Sequence, residues 1–313
     1  MASPRITILG SLNIDLVSYV PHHPLPGETL TSSSYVVSPG GKGANQAVAC
    51  AKLSRSSDLS SPTAHVAMLG AVGSDSYGDQ LRTSMTSYGV DTAGVAVRDG
   101  KNTGVAIIIV DEPSGQNRIV LSPESNHSLT PDQFTTLPTP QPDLLIMQLE
   151  IPFETVMQAL AAAKSAGVPV LLNPAPAQEL PLSAYDGLAH LIVNETEAAL
   201  LSGAKEEELD DAAGLQRIGA LFIARGVQNV IITLGGRGVY YVNKAGQSAL
   251  VPALKAQVVD TTAAGDTFVG SYALAAVSGA FDIEAAVQAA NRAAAKTVAR
   301  RGAQVSIPWK DEL

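Results

Sequence analysis

Val259-Asp260-Thr261-Thr262-Ala263-Ala264-Gly265-Asp266-Thr267-Phe268 reads as the end of a strand, a tight turn of small residues, and the start of a helix that runs to about Gly279. An Ala-Ala-Gly turn at a helix start leaves backbone N–H groups bare. The helix dipole adds to them and makes an anion site. Asp266 would repel an anion if this turn only held phosphate. It fits if the carboxylate takes a proton from an attacking hydroxyl while the N–H groups hold developing phosphoryl charge. The other reading is an acidic residue that merely favours a helix N-terminus. This segment alone leaves the two even.

Ser38-Pro39-Gly40-Gly41-Lys42-Gly43-Ala44-Asn45-Gln46-Ala47 is a second glycine-rich entry into a helix. Gly-Gly lets a ligand approach the main chain closely. Lys42 and Asn45 fall in the first helical turn, where they can face a polar ligand. Alone, the stretch is as readily a plain turn. Two such entries suggest one cleft lined by both.

Around them, apolar runs recur that suit strands buried on both faces: residues 6–10, 65–71, 144–149, 169–173, 191–194 and 229–234. Helical patterns alternate with them over 43–53, 79–88, 153–166, 196–202 and 211–225. The alternation predicts an α/β fold, a doubly wound, mainly parallel sheet sandwiched by helices. Ligands in such folds bind at the carboxyl ends of the strands. Residues 14–37 and 95–121 break the pattern, being strand-like, turn-punctuated and without helices. Residues 105–110, a turn, and 118–121 read as a hairpin. The expectation is a single domain, 1–313, with a small β-sheet lid from about 14–37 and 95–121 that excludes water from the cleft. Edge strands on the main sheet are the alternative. Residues 54–63 are Ser-rich and read as a surface loop.

Composition narrows the function. The 313 residues are 46% hydrophobic and 16% charged, which suits a globular enzyme. A net charge of −9 and no basic block argue against nucleic acid and against an anionic membrane surface. A local dipole can still attract phosphate. No apolar run approaches the roughly 18 residues of a spanning helix. Cys50, the one cysteine, lies in an Ala/Val helical pattern and is expected in the core. Lys310-Asp311-Glu312-Leu313 matches an ER retrieval signal, which acts only on protein that has entered the ER. Met1–Gly10 has no secretory h-region and reads as the first strand. The tail is therefore read as coincidental and the protein as cytoplasmic, with nuclear presence open. There is no P-loop, no Gly-x-Gly-x-x-Gly after the first strand, no Gly-x-Ser-x-Gly elbow, and no metal-ligand spacing among the five His.

Other strand ends carry candidate side chains. Asn13 and Asp15 share a face of an extended chain; amide and carboxylate suit sugar hydroxyls, or an Asx turn. Glu150 follows a strand and either reaches the cleft or is solvated. Asn194 and Glu197 could order a hydrated Mg²⁺, or form a helix cap with Glu at N3. Thr233-Leu234-Gly235-Gly236-Arg237-Gly238 permits close approach of a nucleotide, or makes a hairpin turn.

The two glycine-rich stretches resemble the two signatures of the ribokinase-like carbohydrate kinase family. Asn13-Ile14-Asp15, Met147-Gln148-Leu149-Glu150, Asn173-Pro174-Ala175-Pro176-Ala177, Asn194-Glu195-Thr196-Glu197, 233–238 and Arg301-Gly302-Ala303-Gln304 extend the resemblance in order along the chain. Many members carry Gly at Ala263 and Ser at Gly236, and the 54–63 loop is longer than in bacterial members. The resemblance implies ATP-dependent phosphorylation of ribose at its primary hydroxyl, with Asp266 as base and Ala263, Ala264 and Gly265 as anion hole. It implies Asn13, Asp15, Gly41, Lys42, Asn45 and Glu150 around ribose. Asn194, Thr233, Gly235, Gly236, Gly238, Gly265 and Asn291 would line the ATP site, with Glu197 ordering Mg²⁺ through water. Asp260, Thr262, Thr297, Arg300, Gly302 and Ser306 match a K⁺ site, and a homodimer would form through the lid sheets. The alternatives are a kinase of this fold for another sugar or a nucleoside, and a non-catalytic sugar-binding protein.

Overall fold

The computed structural model of the chain describes residues 3–313. Met1 and Ala2, part of the segment read as the first strand, lie outside the described residues. The chain begins β1 (Arg5–Leu9), β2 (Asn13–Val20), β3 (Ser34–Gly40), α1 (Lys42–Leu53), β4 (His65–Gly73), α2 (Ser76–Ser87), β5 (Asp91–Arg98), β6 (Gly104–Asp111) and β7 (Asn117–Ser122). It continues through β8 (Leu144–Met147), α3 (Phe153–Ser165), β9 (Val170–Leu172), β10 (His190–Asn194), α4 (Glu195–Ser202) and α5 (Ala212–Ala224). It ends with β11 (Asn229–Thr233), β12 (Val239–Asn243), β13 (Ser248–Val251), α6 (Ala264–Ala276) and α7 (Ile283–Thr297).

Nine strands form one open sheet in the order β13-β12-β11-β10-β9-β8-β1-β4-β5. Pairing is parallel from β11 to β5 and antiparallel at the β12–β13 edge. Side chains alternate between two covered faces, as strand geometry requires. Ile6, Ile8, Ile146, Ile192 and Ile231 join the core beneath α1, α6 and α7. Leu145, Met147, Leu191, Val193 and Ile232 join the core beneath α3, α4 and α5. This two-sided burial explains the near-continuous apolar runs.

The second sheet has the order β3-β2-β6-β7, with β2 and β6 parallel and the outer pairs antiparallel. Residues 95–98 do not belong to it. They lie in β5, which pairs in parallel with β4 from Leu69↔Gly94 to Gly73↔Arg98. The second part of the small sheet therefore starts at Gly104. Alternation along Val95–Val97 suits either sheet, and only the pairing with β4 decides. Two further differences concern the C-terminal third. β12 and β13 add an antiparallel edge that the apolar runs do not announce. Val259 and Asp260 are not a strand end, because both N–H groups donate to Val298 O at the end of α7.

Small residues set the distance between α1 and α6. A Cβ on Gly270 would lie 2.5 Å from the Ala49 Cβ and 2.8 Å from Cys50 N. The helices therefore approach closely, and their N-termini meet above the carboxyl ends of β1, β8 and β9. Cys50 is fully buried at this seam, its thiol pushed up to about 12 by burial, as a core residue should be. The C-terminal segment is bonded into the body: Lys310 N donates to Arg55 O, and Ser57 N and Oγ donate to Asp311.

Candidate active site

Asp266 stands in the first turn of α6, facing the first turn of α1. Its Oδ2 accepts from Asn45 Nδ2 at 3.0 Å and its Oδ1 from Gln46 Nε2 at 3.0 Å. Gln46 also donates to Asn173 Oδ1 (3.0 Å) and accepts from Gln148 Nε2 (2.5 Å). The carboxylate is thus aimed by two amides whose own orientations are set by further amides. Gln46, Gln148 and Asn173 fall inside quoted stretches, yet sequence reasoning assigned them no role. Their placement at a helix start or strand end was the available signal.

The turn before Asp266 is strained. Ala263 holds a left-handed backbone, φ 59°, where glycine is the usual residue. Thr267 N donates to Ala263 O, closing the first helical turn. Ala264 N donates to Thr261 O at 3.2 Å, so this member of the expected anion hole has its N–H engaged within the turn. Among the described residues, the N–H groups of Ala263, Gly265 and Asp266 find no acceptor. The space above Gly265 is open, with no atom within 4 Å of where a Cβ would sit. Bare donors beside open space suit an anion.

Asn13 and Asp15 open β2, so the small sheet contributes directly to the cleft. Asn13 Oδ1 accepts from Asn126 Nδ2 (2.8 Å), which leaves the Asn13 amide nitrogen free. Asn126 is itself locked by bonds to Leu12 N and O. It lies in a short, non-periodic 3-10 segment and gave no sequence signal. Glu150 accepts from Ser11 Oγ (2.5 Å) and from Lys42 N (3.0 Å), which caps the start of α1. Gly41 at φ 87° makes the tight entry; a Cβ there would meet Asn13 N at 2.7 Å.

Charge is concentrated here. Burial, then the carboxylates of Glu150 and Asp266, raise the Asp15 carboxyl to about 7. For Lys42, burial acts to lower the ammonium, but Asp266, Glu150 and Glu197 outweigh it and hold it above its usual value. One cation among several acids, beside free amides, suits a polar ligand carrying hydroxyls and phosphate.

Thr233, Gly235, Gly236, Gly238, Gly265 and Asn291 line a neighbouring cleft of 490 Å³. The 235–238 turn joins antiparallel β11 and β12, so it is both a hairpin connection and a cleft wall. Asn194 and Glu197 form a reciprocal cap: Glu197 N donates to Asn194 Oδ1 (2.8 Å) and Asn194 N to Glu197 Oε2 (2.9 Å). The cap reading of this pair is realised, and burial raises the Glu197 carboxyl.

Asp260 is half-buried. Its Oδ1 accepts from Thr262 N and Oγ1, and its Oδ2 from Gly302 N at 2.9 Å. It therefore caps its own turn and ties the 300–306 loop to it. Thr297 Oγ1 donates to Thr267 Oγ1, Ser306 Oγ to Ala303 O, and the Arg300 guanidinium pairs with Glu312. Among the described residues, no group of three or more His, Cys, Asp or Glu is placed to hold a metal.

The pattern of pfkB family carbohydrate kinases matches residues 3–310. The chain belongs to the pfkB family. A ribokinase of Schizosaccharomyces pombe is 42% identical over 97% of this chain and 95% of that protein. A deoxyribokinase of Salmonella typhi is 35% identical over 97% of this chain and 95% of its own length. The structure of Arabidopsis thaliana ribokinase complexed with ribose and ATP superposes with a TM-score of 0.86, at 29% identity, over 99% of this chain and 97% of that one. In this pfkB chain both glycine-rich helix entries and Asp266 converge on one cleft at the strand ends, as the two-entry reading expected.

Proposed function

We propose that this chain is an ATP-dependent ribokinase, transferring the γ-phosphoryl group of ATP to the primary hydroxyl of D-ribose to give ribose 5-phosphate and ADP. The observation that carries this reading is Asp266, oriented by two amides and placed beside unpartnered helix N–H groups. A binding protein has no need of a base there. Asp266 takes the hydroxyl proton as the oxygen attacks phosphorus, and the amides of Ala263, Gly265 and Asp266 meet the developing charge. Asn13, Asp15, Lys42, Asn45 and Glu150 hold the sugar, and the 490 Å³ cleft takes the nucleotide. The small sheet acts as a lid of the single domain, keeping water from the acceptor's place.

The metal proposals rest on donor chemistry. Mg²⁺ keeps most of its water and binds through phosphates, so Glu197, already engaged in its cap, suits contact through water and not a cage. When bound it neutralises charge on the β- and γ-oxygens. For K⁺, Asp260 and main-chain carbonyls of the 300–306 loop would be the donors, with Thr262, Thr297, Arg300, Gly302 and Ser306 around them. The support is the Gly302–Asp260 bond that draws the loop to the anion turn. Replacing tetramethylammonium chloride by KCl at fixed ionic strength and saturating Mg-ATP should raise kcat and leave the ribose KM little changed; equal rates would remove the cation. The exposed Val37, Ile107 and Val120, in register on one face of the small sheet, support a homodimer, which sedimentation velocity checks. No helix among the described residues is long and apolar enough to cross a membrane; a cytoplasmic site of action is part of this proposal.

A coupled ADP-release assay across ribose, deoxyribose, fructose and adenosine tests the function. The highest kcat/KM should be on ribose, because a crowded polar pocket leaves buried groups unpaired when a hydroxyl is missing. Preference for deoxyribose or adenosine would replace ribose by that substrate. No turnover of any would leave a binding protein.

A further inference from the structure

Asn45 touches the catalytic carboxylate with one end of its amide and a buried chain of side chains with the other. Its Oδ1 accepts from Gln304 Nε2 at 3.2 Å. Gln304, 2% exposed, has its own main-chain carbonyl held by Lys52 Nζ at 3.2 Å. Lys52 is 3% exposed, on the last turn of α1. Its ammonium lies 5.1 Å from the Tyr88 ring centre and 5.2 Å from that of Trp309. Among the described residues, no carboxylate oxygen comes within salt-bridge distance of it.

A buried ammonium is costly unless it is compensated. Here two aromatic faces, one carbonyl and the more distant Glu312 carboxylate offset part of that cost, and burial still lowers the ammonium to about 8. The arrangement ties the Gln304 main chain to the far end of the helix that carries Asn45. An amide turned by 180° exchanges donor and acceptor. Gln304 Oε1 finds no partner among the described residues; with its Nε2 donating to the Asn45 oxygen, Asn45 satisfies both neighbours in the orientation that points Nδ2 at Asp266. Without the Gln304 donor the Asn45 amide is free to turn and accept from Asp266 once that carboxyl carries the hydroxyl proton.

We infer that Lys52 and Gln304 are positioning residues for phosphoryl transfer, fixing the Asn45 amide and through it the Asp266 carboxylate. The inference rests on the reading of Asp266 as the base. It adds two residues that reach the base only through Asn45, one of them on the loop after α7.

The test uses Gln304→Leu and Lys52→Met, which keep volume and remove the polar links, with Lys52→Arg as the conservative variant. Each of the first two should lower kcat by about tenfold to a hundredfold, with the ribose and ATP KM values within about threefold of wild type. Lys52→Arg should restore most of the rate. Combining Gln304→Leu with Asp266→Asn should cost nothing beyond Asp266→Asn alone, since both act on one group. Full kcat in Gln304→Leu and Lys52→Met, beside an Asp266→Asn variant that has lost its rate, would overturn the positioning role and leave the base intact. A multiplied loss in the double variant would also overturn it. An Asp266→Asn variant with undiminished kcat would instead remove the base reading. Should Gln304→Leu fail to fold, the Lys52→Met and Lys52→Arg pair decides.

Discussion

Asp266→Asn is expected to lower kcat by about 10²–10⁴-fold with ribose and ATP KM values nearly unchanged. The amide keeps the shape of the carboxylate but cannot accept the hydroxyl proton. The surroundings sharpen the expectation. Both oxygens of Asp266 receive amide donors, from Asn45 and from Gln46. An Asn at this position must turn its own NH₂ toward one of them, so one donor loses its acceptor. That adds about 1–3 kcal/mol of local destabilisation to the lost proton transfer. Melting temperature and single-turnover rate, measured together, separate the two effects. A variant that keeps more than roughly a tenth of the wild-type single-turnover rate would show that Asp266 is not the base.

Asp15→Ala is expected to raise the ribose KM by an amount corresponding to about 1–3 kcal/mol, leaving the ATP KM little changed. It removes hydroxyl acceptors from a nearly buried site and leaves the partner hydroxyls unpaired. Equal losses for both substrates would indicate a folding defect. The same residue governs a pH effect on the ligand-free protein. Burial, then Glu150 and Asp266, raise its carboxyl from 3.8 to about 7. A carboxyl raised in the folded state favours folding while protonated. Its contribution is full below 3.8, falls as pH rises, and is gone above about 7. Asp15→Asn, which stays neutral, should therefore melt higher than wild type at pH 8 without ribose, with the gap closing toward pH 4. A constant gap across that range would show that Asp15 ionises freely.

The α/β layers and the two helix entries are legible because burial on both faces leaves a continuous apolar signature and because glycine runs mark close approach. Asn45 and Asp266 could be placed in one cleft from those entries. What brings them into contact is the Gly270–Ala49 seam, which no local pattern announces. Asn126 and Gln304 act through contacts with residues far away in the chain, Leu12 and Asn45, so Asn126's neighbourhood carries no trace of the role and the 301–304 stretch marks Gln304 without assigning it one. Asp260 shows the opposite difficulty. Its position beside the anion turn and its two Thr262 donors are local, but its degree of burial and its third donor, Gly302 N, depend on how the 300–306 loop folds back. β13 is half-exposed at the edge of the sheet and lacks the continuous apolar run of the interior strands, and β12, buried at Val239, Tyr240 and Tyr241, offers only a short one.

Asp15 occupies the volume that a side chain at residue 40 would need: a Cβ on Gly40 would lie 2.2 Å from Asp15 Oδ2. The two positions are therefore linked in any evolutionary path toward a different acceptor. Gly40→Ala in the present background drives its methyl into a carboxylate and is expected to be purged. The same change after Asp15 has been shortened is relieved of its three nearest clashes. Selection for a bulkier or less polar acceptor would thus find these substitutions in one order and not the other. Sequencing the survivors of a two-site library at 15 and 40 would reveal that order as sign epistasis.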